Sequence, residues 1–158
     1  GWNMGGQTAQ QYYEQGIRVS MEEKKATLGN YLSSTAHPAD YADYEQSYKY
    51  SAMSTVSPKW DTAAGFEENL ERIIIQKWIA TYPSGWETWA DIRRTGYPKF
   101  FPIVDNKSNS TVSSSRGMRR LPFPESEKNT NTANVEAAVA MLEGSDTAAT
   151  DLWWAKKD

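Results

Sequence analysis

The feature that most constrains the fold is the apolar stretch that ends just before Pro83. Within residues 62–82, apolar side chains recur at helical spacing over more than half of the helix circumference; they are Leu70, Ile73, Ile74, Ile75, Trp78, Ile79 and Tyr82. A helix that is apolar over so much of its surface is buried between neighbouring elements. Asp61 stands at the N-cap position before it. We therefore expect residues 62–82 to form a buried central helix, with the ion pair Glu68–Arg72 on its remaining exposed side.

A second helix is expected directly after this proline, over residues 84–95. Ser84 and Glu87 have the spacing of a capping box, and Trp86 and Trp89 lie on one helical face. Two adjacent arginines in the last turn, followed by a glycine and then a proline, indicate where the helix ends. Every residue of this segment has a structural explanation, so we expect two packed tryptophans in a scaffold rather than an active site.

Two further helices and the C-terminal tail complete the helical part. Thr8 and Gln11 form a capping box before a helical pattern that runs over residues 8–27. A last helix is expected over residues 133–143. The tryptophan pair 153–154 is expected to pack and hold the C-terminus in place.

The remaining segments are short of regular structure. Residues 30–60 show no sustained apolar period and carry two prolines, which indicates a long irregular connection. Segments 100–104 and 118–123 flank a polar stretch and predict a small two-stranded element. The sequence thus predicts a mainly α fold, an irregular helical domain with long loops and at most one small β-hairpin.

Composition excludes several classes of protein. Lys and Arg number 17 against 20 Asp and Glu, which gives a net charge of −3 and argues against a nucleic-acid partner. The chain has no cysteine, so thiol catalysis and thiolate metal sites are excluded. No apolar run approaches the roughly 20 residues that cross a bilayer.

No catalytic constellation is visible in the sequence. The single histidine, His37, lies in an expected surface loop beside a proline, without the flanking signature of a triad or a metal site. Glu87 and Asp91 are four residues apart on one short helix, so they point the same way and suit neither side of a glycosidic bond. We predict no metal, no cofactor and no enzymatic activity.

Aromatic residues are abundant in an otherwise polar chain. They make up 13% of the residues, with nine tyrosines and seven tryptophans. Core packing explains part of this number, but flat aromatic faces also stack on the apolar face of a pyranose ring. The tyrosines at 41, 44 and 48 have the spacing of one face of a short helix; packing flat on a neighbouring element is the alternative.

Three ordered blocks carry a resemblance to a known family. The runs "NLERIIIQKWIATYPSGWETWADIRRTGYPKFFP", "RRLPFPESEKNTN" and "LWWAKKD" follow one another as in the C-terminal region of SusD/RagB-family proteins of Bacteroidetes. Upstream, "YYEQGIRVSMEE" and "VSPKWDTA" also resemble family elements. On this resemblance, residues 1–158 form a single SusD-like C-terminal region of a longer parent chain.

The resemblance implies a location and a role. Family members are lipid-anchored on the outer face of the outer membrane, where they cover a SusC-like TonB-dependent transporter and capture glycans, or in some members peptides, for import. They are binding proteins rather than enzymes, and their fold is predominantly helical. The lipid anchor would belong to the N-terminal part of the parent chain, and this piece alone is expected to be soluble, with no anchor of its own.

The resemblance transfers no ligand-binding residue by motif match. If this region contacts a glycan, the irregular aromatic segment is the expected place, with the candidates Tyr41, Tyr44, Tyr48, Tyr50 and Trp60. Two alternatives stay open: a docking scaffold without a ligand site of its own, and a peptide-binding member of the family.

Overall fold

The computed structural model describes residues 5–155, and the chain divides into two compact units, residues 1–89 and 90–158. The elements are α1 (Ala9–Glu23), a short 3-10 helix (Tyr31–Ser33), β1 (Tyr41–Ala42), β2 (Lys49–Tyr50), α2 (Phe66–Ala80), α3 (Gly85–Thr95), α4 (Glu125–Thr130) and α5 (Thr132–Ala140). The predicted mainly α fold with long loops and one small hairpin is confirmed. None of the helices within 5–155 is long and apolar enough to cross a membrane.

The start of α1 follows local sequence rules. The Gln11 backbone N–H donates to Thr8 Oγ1 at 3.2 Å, and the Thr8 backbone N–H donates to Gln11 Oε1 at 2.7 Å, so the predicted capping box is present. The helix ends at Glu23 rather than at 27, because Lys25 takes a left-handed conformation with φ of +55°. The turn that follows cannot continue an α-helix.

The start of α2 was predicted too early. Asp61 is not its N-cap; its carboxylate accepts from the Ala63 backbone N–H at 2.8 Å, which closes a local turn. The helix begins at Phe66, with Gly65 as the N-cap residue, and ends at Ala80.

The first unit is held together by α1, α2 and the long connection between them. Tyr13, Ile17, Val56 and Ile74 are buried. The Tyr13 hydroxyl donates to the Pro58 carbonyl at 2.6 Å, which ties the connection to α1. This packing fixes the position of the chain segment that connects α1 to α2.

The expectation that α2 is buried on all its apolar sides is wrong. Arg72, expected at the surface with Glu68, is buried; it donates to the Ser57 carbonyl at 3.1 Å and to the Glu68 carboxylate at 3.0 Å. Trp78 and Ile79, in contrast, are exposed. The long connection covers only one side of the helix, which leaves apolar side chains of its last turn exposed.

The second predicted helix is confirmed as α3. Gly96 ends it with φ of +78°, and its N–H donates to Ile92 O at 2.8 Å. The expectation that both tryptophans are packed is wrong for Trp86, which is 73% exposed although its ring meets Trp89 edge-on at 5.6 Å.

The second unit departs from prediction in its non-helical part. Segments 100–104 and 118–123 form no strand, since each contains a proline that lacks a ladder donor. The last helix, predicted over 133–143, is α5, and the short α4 before it was not predicted. Trp153 is 91% exposed, which contradicts its expected packing.

Candidate functional site

The candidate site is the tyrosine hairpin, residues 41–50. β1 and β2 pair antiparallel, with Tyr41 opposite Tyr50 and Ala42 opposite Lys49. Asp43 closes the turn: its backbone N–H donates to Tyr48 O at 3.1 Å, and its carboxylate accepts from the Tyr48 N–H at 2.8 Å. The short-helix interpretation of the tyrosine spacing is therefore wrong.

The hairpin brings four of the five predicted site residues together. Tyr41 and Tyr50 form a direct cross-strand pair, so both side chains lie on one face of the ribbon. Tyr48 immediately precedes β2, and its backbone carbonyl accepts from the Asp43 N–H at 3.1 Å. Tyr44 lies in the turn. Exposed fractions are 46% for Tyr41, 102% for Tyr44 and 50% for Tyr48, so these rings are accessible to a ligand.

Trp60 lies outside the hairpin and packs on α1. Its ring centroid is 5.2 Å from that of Tyr13, at an interplanar angle of 48°, and Trp60 is half-buried. Burial raises the pKa of Tyr13, an effect that the nearby Arg72 opposes, so the hydroxyl stays protonated and donates to Pro58. The role of Trp60 as a ligand contact stays a prediction.

Two aspartates that sequence reasoning missed support the hairpin. Besides Asp43, Asp40 accepts from the Ala52 backbone N–H at 2.7 Å, just beyond β2. The signal for Asp43 was present in "DYEQ", because an aspartate at the first position of a turn commonly binds a backbone N–H further along. Asp40 has no such local signal, since its partner lies twelve residues away.

A groove lies between α1 and α2 in the first unit. Its volume is about 300 Å³, and its lining is mostly apolar, including Tyr12, Ile17, Met21, Tyr31 and Ile73. The Tyr31 hydroxyl donates to Gln76 Oε1 at 2.8 Å inside it.

The most charged cluster of the second unit is structural. Asp151 accepts from Arg116 at 2.5 Å and from Arg119 at 2.6 Å, and Asp146 pairs with Arg120 and, at 3.1 Å, with Lys128. Each carboxylate is thus neutralised by two cations.

Opposing effects act on these two carboxyl groups. Burial raises the pKa of both, but the hydrogen bonds from their basic partners outweigh it and hold each pKa below its ordinary value of 3.8. Arg93 adds a neighbouring contact, with its guanidinium 4.6 Å from the centre of the Trp154 ring. Burial, followed by the charge of Arg119, lowers the Arg93 pKa. Because each carboxylate is already paired with two cations, the cluster is suited to a structural role rather than to acid–base chemistry.

The arrangement offers little for catalysis. His37 is exposed, and its Nδ1 lies 2.9 Å from the carbonyl oxygen of the next residue. Across residues 5–155, no group of three His, Cys, Asp or Glu side chains is placed to hold a metal ion. The hairpin is instead an exposed aromatic surface with polar edges.

Comparison with known proteins identifies the family. The family model "SusD-like: Susd and RagB outer membrane lipoprotein" matches residues 1–155. The chain therefore belongs to the SusD-like family. No curated protein matches it.

Solved structures agree with this assignment. A SusD homologue from Bacteroides uniformis ATCC 8492 is 46% identical, with a TM-score of 0.89 over 96% of this chain and 32% of that one. A SusD-like protein from Bacteroides thetaiotaomicron VPI-5482 is 44% identical, with a TM-score of 0.89 over 99% of this chain and 34% of that one.

A third relative has a described ligand. A chitin-binding SusD homologue from Flavobacterium johnsoniae is 40% identical, with a TM-score of 0.87 over 97% of this chain and 32% of that one. The chain spans about a third of the length of these solved relatives.

Proposed function

We propose that this chain is part of a carbohydrate-binding protein of the outer membrane, and that its tyrosine hairpin contacts the glycan. The observation that carries the proposal is the exposure of three tyrosine rings on one short hairpin. The chitin-binding relative, similar over nearly the whole of this chain, supports a carbohydrate as the ligand.

The hairpin suits sugar binding physically. In a two-stranded ribbon whose turn is closed by Asp43, the backbone that carries the rings is already ordered before binding. By analogy with aromatic pairs, each stacking contact contributes about 0.5–1.5 kcal/mol, so several tyrosines together give a weak but usable site. The hydroxyl groups at the ring edges add donors and acceptors for sugar hydroxyls.

The wider role follows the family pattern. In this proposal the parent protein is lipid-anchored on the outer face of the outer membrane and passes its glycan to a SusC-like TonB-dependent transporter for import. In this proposal it binds its ligand without chemical conversion.

The test is a binding panel on the full chain. Immobilised neutral hexasaccharides (chito-, cello-, malto-, xylo- and manno-oligosaccharides) are screened against the natural chain, against Tyr44→Ala and against Trp153→Ala. We expect binding to at least one sugar, weakened about two- to tenfold by Tyr44→Ala and unchanged by the control Trp153→Ala, because the Trp153 ring is also highly exposed but lies in the other unit. Binding to none of the sugars, or equal affinity for all three proteins, contradicts the proposal.

A second candidate, a docking surface for protein, rests on a different observation. Ile79 and Tyr82 at the end of α2 and Trp86 at the start of α3 are exposed large apolar side chains within eight residues of one another. Contiguous exposed apolar surface marks interaction sites. Strictly monomeric behaviour in sedimentation, together with no binding of a hydrophobic dye, would remove this candidate.

A further inference from the structure

The tyrosine hairpin carries an unbalanced charge. Within residues 41–50, Asp43 and Glu45 are acidic and only Lys49 is basic. Asp40, which immediately precedes β1, adds a third carboxylate, so residues 40–50 have a net charge of −2.

Two of the three carboxylates are fixed by backbone hydrogen bonds. Asp43 accepts from the Tyr48 N–H at 2.8 Å, and Asp40 accepts from the Ala52 N–H at 2.7 Å. These bonds restrict the movement of the two carboxylates when a ligand approaches.

The third carboxylate is at the most exposed ring. Glu45 and Asp43 are the sequence neighbours of Tyr44, whose side chain is fully exposed in the turn. The Cα atoms of both acidic residues are about 3.8 Å from that of Tyr44, so the turn that presents this ring also carries two carboxylates.

We propose that the tyrosine hairpin selects glycans by charge: it accepts neutral and amino-substituted saccharides and rejects uronate-containing or sulfated ones. This inference rests on the proposed function, because it concerns the ligand of the same site. Stacking on the tyrosine rings does not depend on the charge of the ligand, whereas the three carboxylates repel an anionic ligand and attract a cationic one. One unit charge about 7 Å from another in water changes affinity by about threefold, so each carboxylate acts as a modest filter.

The experiment compares hexasaccharides of the same backbone that carry negative, neutral or positive charge. Affinities of the full chain are measured for chitohexaose and cellohexaose, for the 6-O-sulfated form of each, and for deacetylated chitohexaose, at low and at physiological salt. We expect each sulfated form to bind at least about threefold more weakly than its neutral parent at low salt, with the gap closing as salt rises. The deacetylated, cationic hexaose is expected to bind at least as well as chitohexaose.

Variants assign the effect to the hairpin. Glu45→Gln removes one charge from the turn. We expect it to reduce the ratio of the affinity for the neutral ligand to that for the sulfated ligand by about threefold. Glu23→Gln removes an exposed carboxylate at the end of α1 and is expected to leave the gap unchanged. Asp43→Asn keeps an oxygen to accept the Tyr48 N–H and serves as a second charge-removing variant should Glu45→Gln perturb the turn.

The outcomes separate the two claims. Binding of neutral and sulfated forms with equal affinity, at both salt concentrations, overturns charge selection and leaves carbohydrate binding standing. If Glu45→Gln and Glu23→Gln change the ratio of neutral to sulfated affinity equally, the assignment of charge selection to the hairpin is overturned. If no hexaose of any charge binds, the proposed function itself is wrong and this inference is wrong with it.

Discussion

Removing Asp151 is the sharpest test of how the second unit is held together. Its carboxylate, only 10% exposed, accepts from Arg116 at 2.5 Å and from Arg119 at 2.6 Å, and the Arg119 side chain is 4% exposed. Breaking a buried pair by removing one partner costs about 3–5 kcal/mol, because the other charge stays buried without compensation. Arg119 keeps a hydrogen bond to the Arg93 carbonyl at 2.9 Å, which softens the loss. We therefore expect Asp151→Ala to lower the free energy of unfolding by about 3 kcal/mol.

The assay is urea unfolding of the full chain, followed by tryptophan fluorescence. With a slope of about 2 kcal/mol/M, the transition that reports the second unit should move down by roughly 1.5 M. Asp105→Ala is the matched control, because Asp105 also pairs with a cation, Lys107 at 2.7 Å, but both side chains are largely exposed. Exposed pairs contribute at most about 1 kcal/mol. An Asp151→Ala shift no larger than that of the control would refute the structural role of this cluster.

Three further predictions follow from the same kind of reasoning. Asp146 and Asp151 have pKa values held below 3.8 in the folded chain, so the stability they add is present at neutral pH and is lost as pH falls below about 4. Asp151→Asn should therefore reduce the fall in the free energy of unfolding below this pH. An unchanged fall would contradict the lowered pKa of Asp151. Thr8→Ala removes the cap of α1 and should cost about 1 kcal/mol in urea unfolding, whereas Thr8→Ser should cost little. Tyr13→Phe leaves the Pro58 carbonyl without its 2.6 Å donor and should cost about 1–2 kcal/mol, and a neutral effect would mean that water replaces the hydroxyl.

Features encoded within one turn of chain were predictable. The capping box of Thr8 and Gln11 and the glycine end of α3 depend on residues three or four positions apart, and both are present. The start of α2 was misplaced because Asp61 has two local options, an N-cap or a turn, and the sequence alone does not rank them. Its carboxylate closes the turn onto Ala63.

Features that depend on distant partners were not predictable. The Arg119–Asp151 pair joins residues 32 positions apart, and neither side has a sequence signal that names the other. The exposure of Trp86, Trp78 and Ile79 also depends on which surfaces the rest of the chain covers. For the candidate site, the sequence indicated the tyrosines but not the hairpin, since their spacing fits a helix as well as a turn closed by Asp43.

Carbohydrate binding at the tyrosine hairpin is tested most directly by an NMR titration of the isotope-labelled chain with chitohexaose, because backbone amide shifts report which residues respond. We expect the largest changes within residues 41–50, with Tyr44 and Tyr48 among them. Changes concentrated instead at Tyr12, Ile17 and Ile73 would place the ligand in the groove between α1 and α2 and would contradict binding at the hairpin.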